Sequence, residues 1–382
     1  MKFVLLFFFF FLSFFSYSQS SKINSYQGKW TFTQYNENVI KVTFTPKGYL
    51  TNENISDAVI INPSKKITIP ISIQNDTVFI GNNKQIKLAP VIQKDEYKSF
   101  QIKLADGEKI FGGGERALPL NRRGYRFNLY NNPWYAYEMG ADNLNYSVPF
   151  FTSSGGYGLF FDNPSRGYAD IGKTTGNILE VGFISGELNV YIIFGKNYKE
   201  TLSSYHQLTG TQPLPPRWAF GNLMSRFGYT SQSQVQDIAA RMQEEHIPFD
   251  AIIFDLFWFG DSIKGTMGNF DWVNKKKWPD PKKMISNFKK QHINTILITE
   301  PFIVQSSLQY KNSLPYQAVD SAGKPYMLAD FYFGPAGLID IFRKDAGQWF
   351  WQKHNAQIKN GVDGWWGDLG EPERHPHHYT II

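Results

Sequence analysis

The hydrophobic pattern of the chain changes at a proline cluster, residues 213–216, and this change limits the folds that it can adopt. Between Ser20 and Gln212, short β-rich runs alternate with Asn, Gly, Asp and Pro, and helical periodicity is hard to find. That rhythm is typical of an antiparallel β-sandwich. Because proline fixes the backbone and removes a hydrogen-bond donor, the cluster predicts a rigid linker into a second domain.

After the linker, apolar strands alternate with amphipathic helices. The predicted strands are Trp218–Met224, Ala251–Phe257, Asn294–Thr299 and Gly364–Asp368. The predicted helices are Ser231–Glu245, Pro281–Gln291 and Asp345–Asn360. Continuous apolar strands between helices indicate a parallel sheet.

This alternation is the repeat of a (β/α)8 TIM barrel, which needs roughly 250 residues, whereas only about 170 follow the linker. We therefore expect a multidomain β plus α/β protein. Residues 19–212 are predicted to form the N-terminal β-sandwich. Residues 213–382 are predicted to form the first half of the barrel, truncated after strand four.

Residues 1–18 have the pattern of a secretory signal peptide. Lys2 precedes an almost wholly apolar run, residues 3–15, and residues 16–18 (Ser-Tyr-Ser) form a small-x-small cleavage pattern. The apolar run is shorter than the roughly 20 residues that cross a bilayer, so a retained membrane anchor is the less favoured alternative. No later segment is expected to span a membrane. The sequence thus predicts an exported protein, periplasmic or secreted, of a bacterial envelope.

Composition excludes several functional classes. The chain has no cysteine, so it carries neither disulfides nor thiolate metal sites nor a cysteine nucleophile. Its net charge of +6 comes from scattered Lys and Arg, and nucleic acid is therefore not an expected partner. Aromatic residues make up 17% of the chain and include 10 Trp. Flat aromatic rings suit sugar binding, although packing in large cores and β-sheets is the alternative explanation for most of them.

An acidic residue lies at or near the carboxyl end of three of the predicted strands, namely Asp255, Glu300 and Asp368. In a barrel the active site lies at the carboxyl ends of the strands, so the three side chains are expected to face one mouth. The aromatic residues predicted to ring that mouth are Phe257, Trp258, Trp365 and Trp366. Carboxylates beside indoles indicate sugar chemistry. The alternative is that strand-end acids cap the following helix or pair with Arg.

The segment Gly364–Glu373 (GWWGDLGEPE) resembles the nucleophile segment of glycoside hydrolase family 31, in which Trp, any residue, Asp and a following Glu end barrel strand four. Supporting motifs occur in the family's order along nearly all of the mature chain. They are Phe111–Glu115, Pro215–Ala219, Ser225–Tyr229 and Ile247–Asp250, the last one ahead of Phe254 and Asp255. The resemblance also implies that the N-terminal sandwich is galactose-mutarotase-like.

The resemblance implies roles for the matching residues. Asp368 matches the catalytic nucleophile, Asp255 the acid that grips hydroxyls of the sugar in the −1 subsite, and Trp366 a wall of that subsite. Further predicted substrate-binding residues are Glu300, Phe257, Trp365 and Asn132. The implied reaction passes through a covalent glycosyl-Asp intermediate and requires neither a cofactor nor a metal.

Two positions depart from the common family pattern. Leu369-Gly370 stands where many members have Met and Asn, and Glu300-Pro301 replaces the usual His-Pro or Asp-Pro. Together with Arg116–Leu120 and Tyr130–Asn132, this version resembles a bacterial branch that includes 4-α-glucosyltransferases acting on α-glucans. The resemblance therefore implies an α-glucosidase or an oligosaccharide 4-α-D-glucosyltransferase for α-linked gluco-oligosaccharides. These two differ in how well the acceptor site binds sugar against water, which the catalytic residues do not reveal.

A retaining glycosidase needs two carboxylates, one that attacks the anomeric carbon and one that protonates the leaving oxygen and later activates water. The family's acid/base Asp lies on a later barrel loop, beyond the last residue of this chain. We therefore expect the chain alone to be inactive and poorly folded in its C-terminal half. The alternative is a non-catalytic or vestigial carbohydrate-binding exported protein, and the oligomeric state is not predicted.

Two further motifs have simple explanations. A tract of three histidines, His375, His377 and His378, could bind Zn or Ni, but no carboxylate or Cys is spaced as in a known site, so we predict no metal. The run Gly112–Gly114 lacks the Gly-Lys-Ser/Thr ending of a phosphate loop. Tight backbone turning between strands is the better interpretation.

Overall fold

The computed structural model describes residues 28–48, 56–75, 77–82, 85–92, 98–132, 135–262 and 264–374, and the backbone of residues 20–24. The predicted signal peptide and the three histidines near the C-terminus lie outside these residues. The chain divides into two compact units, residues 1–212 and 213–382. Among the described residues, no helix combines the length and the apolar character that a membrane span requires.

The first unit is built from antiparallel strands. In chain order they are β1 (Ser20–Asn24), β2 (Gly28–Asn36), β3 (Val39–Pro46), β4 (Ile71–Gln74), β5 (Thr77–Ile80), β6 (Ile86–Ile92), β7 (Lys98–Lys103), β8 (Ile110–Gly112), β9 (Tyr125–Leu129), β10 (Phe150–Ser153), β11 (Tyr157–Phe160), β12 (Gly167–Ile171), β13 (Ile178–Phe183) and β14 (Leu188–Phe194). One seven-stranded sheet has the order β1-β2-β3-β14-β11-β10-β8, and the other has the order β4-β5-β6-β7-β13-β12-β9. The predicted β-sandwich is confirmed.

Alternation of apolar and polar residues explains how the two sheets pack. In β13, Leu179 and Val181 are buried while Glu180 between them is half-buried, because successive side chains of a strand point to opposite faces. Buried residues from both sheets meet in a common core, in which Trp30 lies 4.8 Å from Phe44 between ring centroids. Burial of apolar surface at about 25 cal/mol per Å² is the main stabilising contribution to such a core.

One helix of the first unit, α1 (Tyr198–Thr209), was not expected from the sequence. The side chain of Asn197 caps it by accepting from the N–H of Glu200. Its buried residues are Thr201, Ser204 and Leu208. Because two of these three are polar, the helix carries little apolar periodicity, which is why the sequence pattern did not reveal it.

The second unit alternates strands and helices. In chain order they are β15 (Leu223–Ser225), α2 (Gln232–Glu244), β16 (Ala251–Phe254), α3 (Pro281–Lys290), β17 (Asn294–Thr299), β18 (Phe302–Val304), α4 (Tyr310–Ser313), β19 (Ala336–Leu338), α5 (Lys344–Ile358) and β20 (Gly364–Gly367). Strands β15, β16, β17 and β20 pair in that order, all parallel. The predicted α/β unit is confirmed; a closed barrel is not seen among the described residues, and the truncation stays a prediction.

Some predicted boundaries were wrong for identifiable reasons. The predicted strand Trp218–Met224 begins instead with a 3-10 turn, Arg217–Phe220, and only Leu223–Ser225 pairs in the sheet. The predicted strand Ala251–Phe257 ends at Phe254, because the next residue caps a 3-10 turn. The small antiparallel pair of β18 and β19 was not predicted, since three-residue strands are too short to show a period.

The glycine run that begins at the last residue of β8 forms a tight turn, as predicted. Gly112, Gly113 and Gly114 have φ angles of 103°, 85° and 85°, a region that residues with a Cβ atom rarely adopt. A Cβ atom on Gly114 would lie 2.4 Å from the carbonyl oxygen of Tyr146 and 2.6 Å from the amide nitrogen of Val148. Both obstacles are backbone atoms, so side-chain rotation cannot relieve the overlap.

Substituting Gly114 by Ala should therefore lower the free energy of unfolding by about 3 kcal/mol, the sum of left-handed strain and overpacking. Gly107 is the matched control, because it has a φ of 70° and a Cβ atom there would meet nothing within 4 Å. G107A should cost only about 1 kcal/mol, from strain alone. Urea unfolding of both variants measures the difference, and equal losses would contradict the close approach at Gly114.

Candidate active site

The carboxyl-terminal edge of the parallel sheet brings three acidic residues together. The pairing of β17 with β20 ends at Thr299 opposite Gly367, and the N–H of Asp368 donates to the carbonyl oxygen of Thr299 at 2.9 Å. Glu300 and Asp368 are therefore the next residues on neighbouring strands, which run about 4.8 Å apart. Asp255 directly follows β16, on the other side of β17. The predicted convergence of the three acids agrees with this register.

Contacts with α5 show which face of the sheet the acids occupy. His354 of α5 lies 2.8 Å from the hydroxyl of Thr299, and its ring lies 4.3 Å from that of Trp365. Thr299 and Trp365 therefore point into the helical layer. Because successive residues alternate, Glu300 and Trp366 point to the opposite face. The structure thus brings Trp366 to the side of the acids and turns Trp365, a predicted substrate-binding residue, to the other side.

Asp255 is held in place by its own backbone turn. Its Oδ1 accepts from the N–H of Leu256 at 2.7 Å, which caps the 3-10 turn Leu256–Phe259. The side chain is buried, with 6% of its surface exposed. Burial raises the pKa of Asp255, and the hydrogen bond from Leu256 opposes that rise. The capping role considered for strand-end acids is therefore real at this position, and it fixes the orientation of the carboxylate.

Glu300 is the most buried of the three acids, with 3% of its surface exposed. Neither of its carboxylate oxygens has a hydrogen-bond partner among the described residues. Burial, reinforced by the nearby Asp368, Asp255 and Glu373, raises the pKa of Glu300 from 4.5 to about 9. The surroundings of Glu300 therefore favour its protonated form over its ionised form.

Asp368 lies half-buried at the end of β20. Burial raises the pKa of Asp368; the backbone N–H of Leu369 lowers it, and Glu371, Asp255 and Glu373 raise it further. Leu369 has a left-handed φ of 51°, and its carbonyl oxygen accepts from the N–H of Glu373 at 3.2 Å. This turn folds the chain back, so that Glu371 and Glu373 join the cluster. Both belong to the motif that the sequence revealed, but their place in the site was not predicted.

At the opposite edge of the sheet, the acidic residue is held in an ion pair. Asp363, just before β20, pairs with Lys289 at 3.0 Å and accepts from the N–H of Thr295 at 3.2 Å. The ion pairs found within the described part of the chain include none that involves Asp255, Glu300 or Asp368. Nor do the described residues offer a group of three or more His, Cys, Asp or Glu arranged to hold a metal ion. The carboxyl edge therefore gathers three acidic side chains that no ion pair among the described residues neutralises.

The predicted aromatic ring around the mouth is only partly seen. Phe257 is half-buried, and its ring lies 6.1 Å from that of the exposed Phe227. Trp258 was wrongly placed at the mouth, because it is fully buried and its Nε1–H donates to the carbonyl oxygen of Ile298 at 3.0 Å. Asn132 belongs to the first unit, where it is exposed, and its role stays a prediction.

His354 is a residue of the site that sequence reasoning missed. Its Nδ1–H donates to the carbonyl oxygen of Phe350 at 2.7 Å, so its Nε2 accepts from the hydroxyl of Thr299. Burial lowers the pKa of His354 below its usual 6.5, against the effect of the Phe350 bond. The neutral imidazole thus fixes Thr299, whose carbonyl oxygen accepts from the N–H of Asp368. A lone His within a helical pattern gave no signal of this role.

Both units of the chain are similar to domains of known proteins. Residues 212–380 match the TIM-barrel domain of glycosyl hydrolases family 31. Residues 17–170 match the N-terminal galactose mutarotase-like domain of glycosyl hydrolase 31. The first match spans nearly all of the second unit, and the second match spans most of the first unit.

Individual relatives are longer than this chain. An α-xylosidase from Lactiplantibacillus pentosus is 28% identical over 80% of this chain and 41% of its own length. An α-glucosidase from Saccharolobus solfataricus is 29% identical over 84% of this chain and 46% of its own. A solved dextranase of the same family from Flavobacterium johnsoniae, complexed with glucose, has a TM-score of 0.80 at 25% identity, over 92% of this chain and 47% of that one. The chain thus spans less than half the length of each.

The buried imidazole should make stability depend on acid pH. Because the pKa of His354 is lower in the folded state than its usual 6.5, its contribution is complete above pH 6.5 and is lost as the pH falls below it. The glutamine of H354Q does not titrate, so the stability of this variant should fall less than that of wild type as the pH decreases below 6.5. Thermal unfolding between pH 4 and 8 measures it, with H206Q at an exposed site on α1 as the control. An acid limb identical in wild type and H354Q would contradict the assignment.

Proposed function

The chain belongs to glycoside hydrolase family 31, and on this premise we propose that Asp368 is the nucleophile of a retaining reaction on α-glycosides. The observation that carries the proposal is the register at the end of β20. It sets Asp368 beside Glu300, near Asp255, on the face of the sheet that Trp366 shares. A carboxylate at a strand end beside an indole is the arrangement that a sugar-sized subsite requires.

The reaction consists of two displacements at one carbon. A carboxylate oxygen of Asp368 attacks the anomeric carbon, the bond to the leaving oxygen breaks as an acid/base carboxyl group protonates that oxygen, and a glycosyl ester forms. Water or a sugar hydroxyl then attacks the same carbon, gives its proton back to the acid/base group, and frees the carboxylate of Asp368. Two inversions give net retention of the α configuration.

Other residues of the cluster prepare the sugar for attack. Asp255 uses Oδ1 to cap its own turn, and its Oδ2 is the oxygen that would accept from a substrate hydroxyl. Trp366 offers a flat face to the sugar ring. We assign the acid/base carboxylate to a part of the parent protein that this chain does not include, because the chain covers less than half of its relatives.

For the substrate we propose α-linked gluco-oligosaccharides. Support comes from the segment Gly367–Glu373, which resembles a branch with 4-α-glucosyltransferases, and from a similar protein named α-glucosidase. Hydrolysis and glucosyl transfer share these catalytic residues, and the acceptor site decides between them. Export through the N-terminal apolar run is part of the same proposal, and it rests on the signal-peptide pattern of residues 1–18.

Removing the nucleophile should abolish the chemistry. In the full-length protein that carries this chain, D368A should lower the turnover of α-glucosyl fluoride by roughly 10⁴-fold or more, because this substrate needs no acid assistance and depends on the nucleophile alone. D237N, on the exposed side of α2, is the charge-matched control and should retain wild-type turnover. Turnover of D368A within tenfold of wild type would refute the assignment.

Product analysis tests the stereochemistry and separates the two activities. With maltotriose, the first product released from the full-length protein should be α-configured, as seen by NMR within the first turnovers. Oligosaccharides longer than the substrate identify a transferase, and glucose without longer products identifies a hydrolase. Formation of β-glucose as the first product would exclude the proposed ester.

A further inference from the structure

We propose that Glu300 is a positioning residue that keeps its proton in the working enzyme, so that the negative charge at this edge of the sheet resides on its neighbour Asp368. The proposal rests on the proposed function, since it assigns the charge to the nucleophile. It also reassigns Glu300, which the sequence indicated as a residue that binds substrate.

The strand register places the two carboxyl groups side by side. Asp368 donates its N–H to the carbonyl oxygen of Thr299, so Glu300 and Asp368 leave adjacent parallel strands at the same level. Adjacent strands are separated by about 4.8 Å, and both side chains point away from the helical layer. The two acids are neighbours in a partly dehydrated setting, so the charge on Asp368 disfavours ionisation of Glu300.

The titratable groups that the described residues place around Glu300 are acidic or neutral. Asp255 faces it from the end of β16, Asp368 from the end of β20, and Glu373 from the turn that follows β20. From α5, His354 reaches the preceding residue, Thr299, as a neutral hydrogen-bond acceptor. In the described part of the chain, the ion pairs that Lys and Arg form lie away from Glu300. A proton is therefore the available way to neutralise one of the acids.

Burial decides which acid keeps that proton. Glu300 is 3% exposed and neither of its oxygens receives a hydrogen bond from the described residues, so its ionised form has nothing to stabilise it. Asp368 is more exposed, and the N–H of Leu369 stabilises its ionised form. The ionisation order is accordingly Asp368 first and Glu300 last.

The pKa shifts agree with this order. Asp368 raises the pKa of Glu300, which reaches about 9, so Asp368 is already charged when Glu300 titrates. The acids that raise the pKa of Asp368 are Glu371, Asp255 and Glu373.

Thermal stability tests the protonation state without any need for activity. Because the pKa of Glu300 is raised from 4.5 to about 9 on folding, wild type should lose stability as the pH rises through this interval. E300Q mimics the protonated acid and does not titrate. The difference in unfolding temperature, E300Q minus wild type, should therefore increase as the pH rises from 5 to 9. A difference that is independent of pH, or that favours wild type throughout, would overturn the proposal.

The pH profile of the full-length protein tests the link to the nucleophile. The acid limb of kcat/KM for α-glucosyl fluoride reports the ionisation of Asp368. E300Q replaces a neutral group by a neutral group and should leave this limb in place, whereas E373Q removes a charge that raises the pKa of Asp368 and should move the limb to lower pH. An equal movement in E300Q would overturn the proposal.

The two experiments separate this inference from the proposed function. If D368A retained turnover, the nucleophile assignment would fail, while the unfolding temperatures would still report whether Glu300 is protonated. If instead D368A were inactive and E300Q shifted the acid limb as E373Q does, the nucleophile would stand and the proton on Glu300 would be refuted.

Discussion

The parallel ladder between β17 and β20 determines the geometry of the whole site. Its last bond, from the N–H of Asp368 to the carbonyl oxygen of Thr299, sets the position of the nucleophile relative to Glu300. A slip of one residue in this register would turn Asp368 into the helical layer and bring Gly367 to the acid side. Asp368 and Trp366 would then face the helices, and neither could contact a sugar bound beside Glu300.

Buried hydrogen bonds next to the acidic residues help to fix the register of β17 and β20. His354 holds the hydroxyl of Thr299, and the indole N–H of Trp258 holds the carbonyl oxygen of Ile298. Bonds of this kind are costly to leave unmade in a low-dielectric interior, so they rigidify the strand ends. Asp255, Glu300 and Asp368 are themselves buried or half-buried, and no ion pair among the described residues compensates their charge. Such burial lowers stability, and it is typical of functional sites.

Sequence reasoning located the strands and their terminal acids, because a continuous apolar run followed by Asp or Glu is a local pattern. It placed Trp258 at the mouth and missed His354, because the position of each depends on a hydrogen bond to another strand or helix, which one segment does not encode. The contrast between Trp365 and Trp366 could have been found from strand parity alone. The early end of β16 follows from the competing cap at Asp255, a turn that its apolar surroundings concealed.

Covalent labelling would identify the nucleophile without reference to rates. The full-length protein would be incubated with a fluorinated α-glucosyl fluoride that forms the glycosyl ester but releases it slowly, and the labelled peptide would be identified by mass spectrometry. We expect one glycosyl adduct, on Asp368. An adduct on Asp255 or Glu300, or inactivation without any glycosyl ester, would contradict the assignment of Asp368.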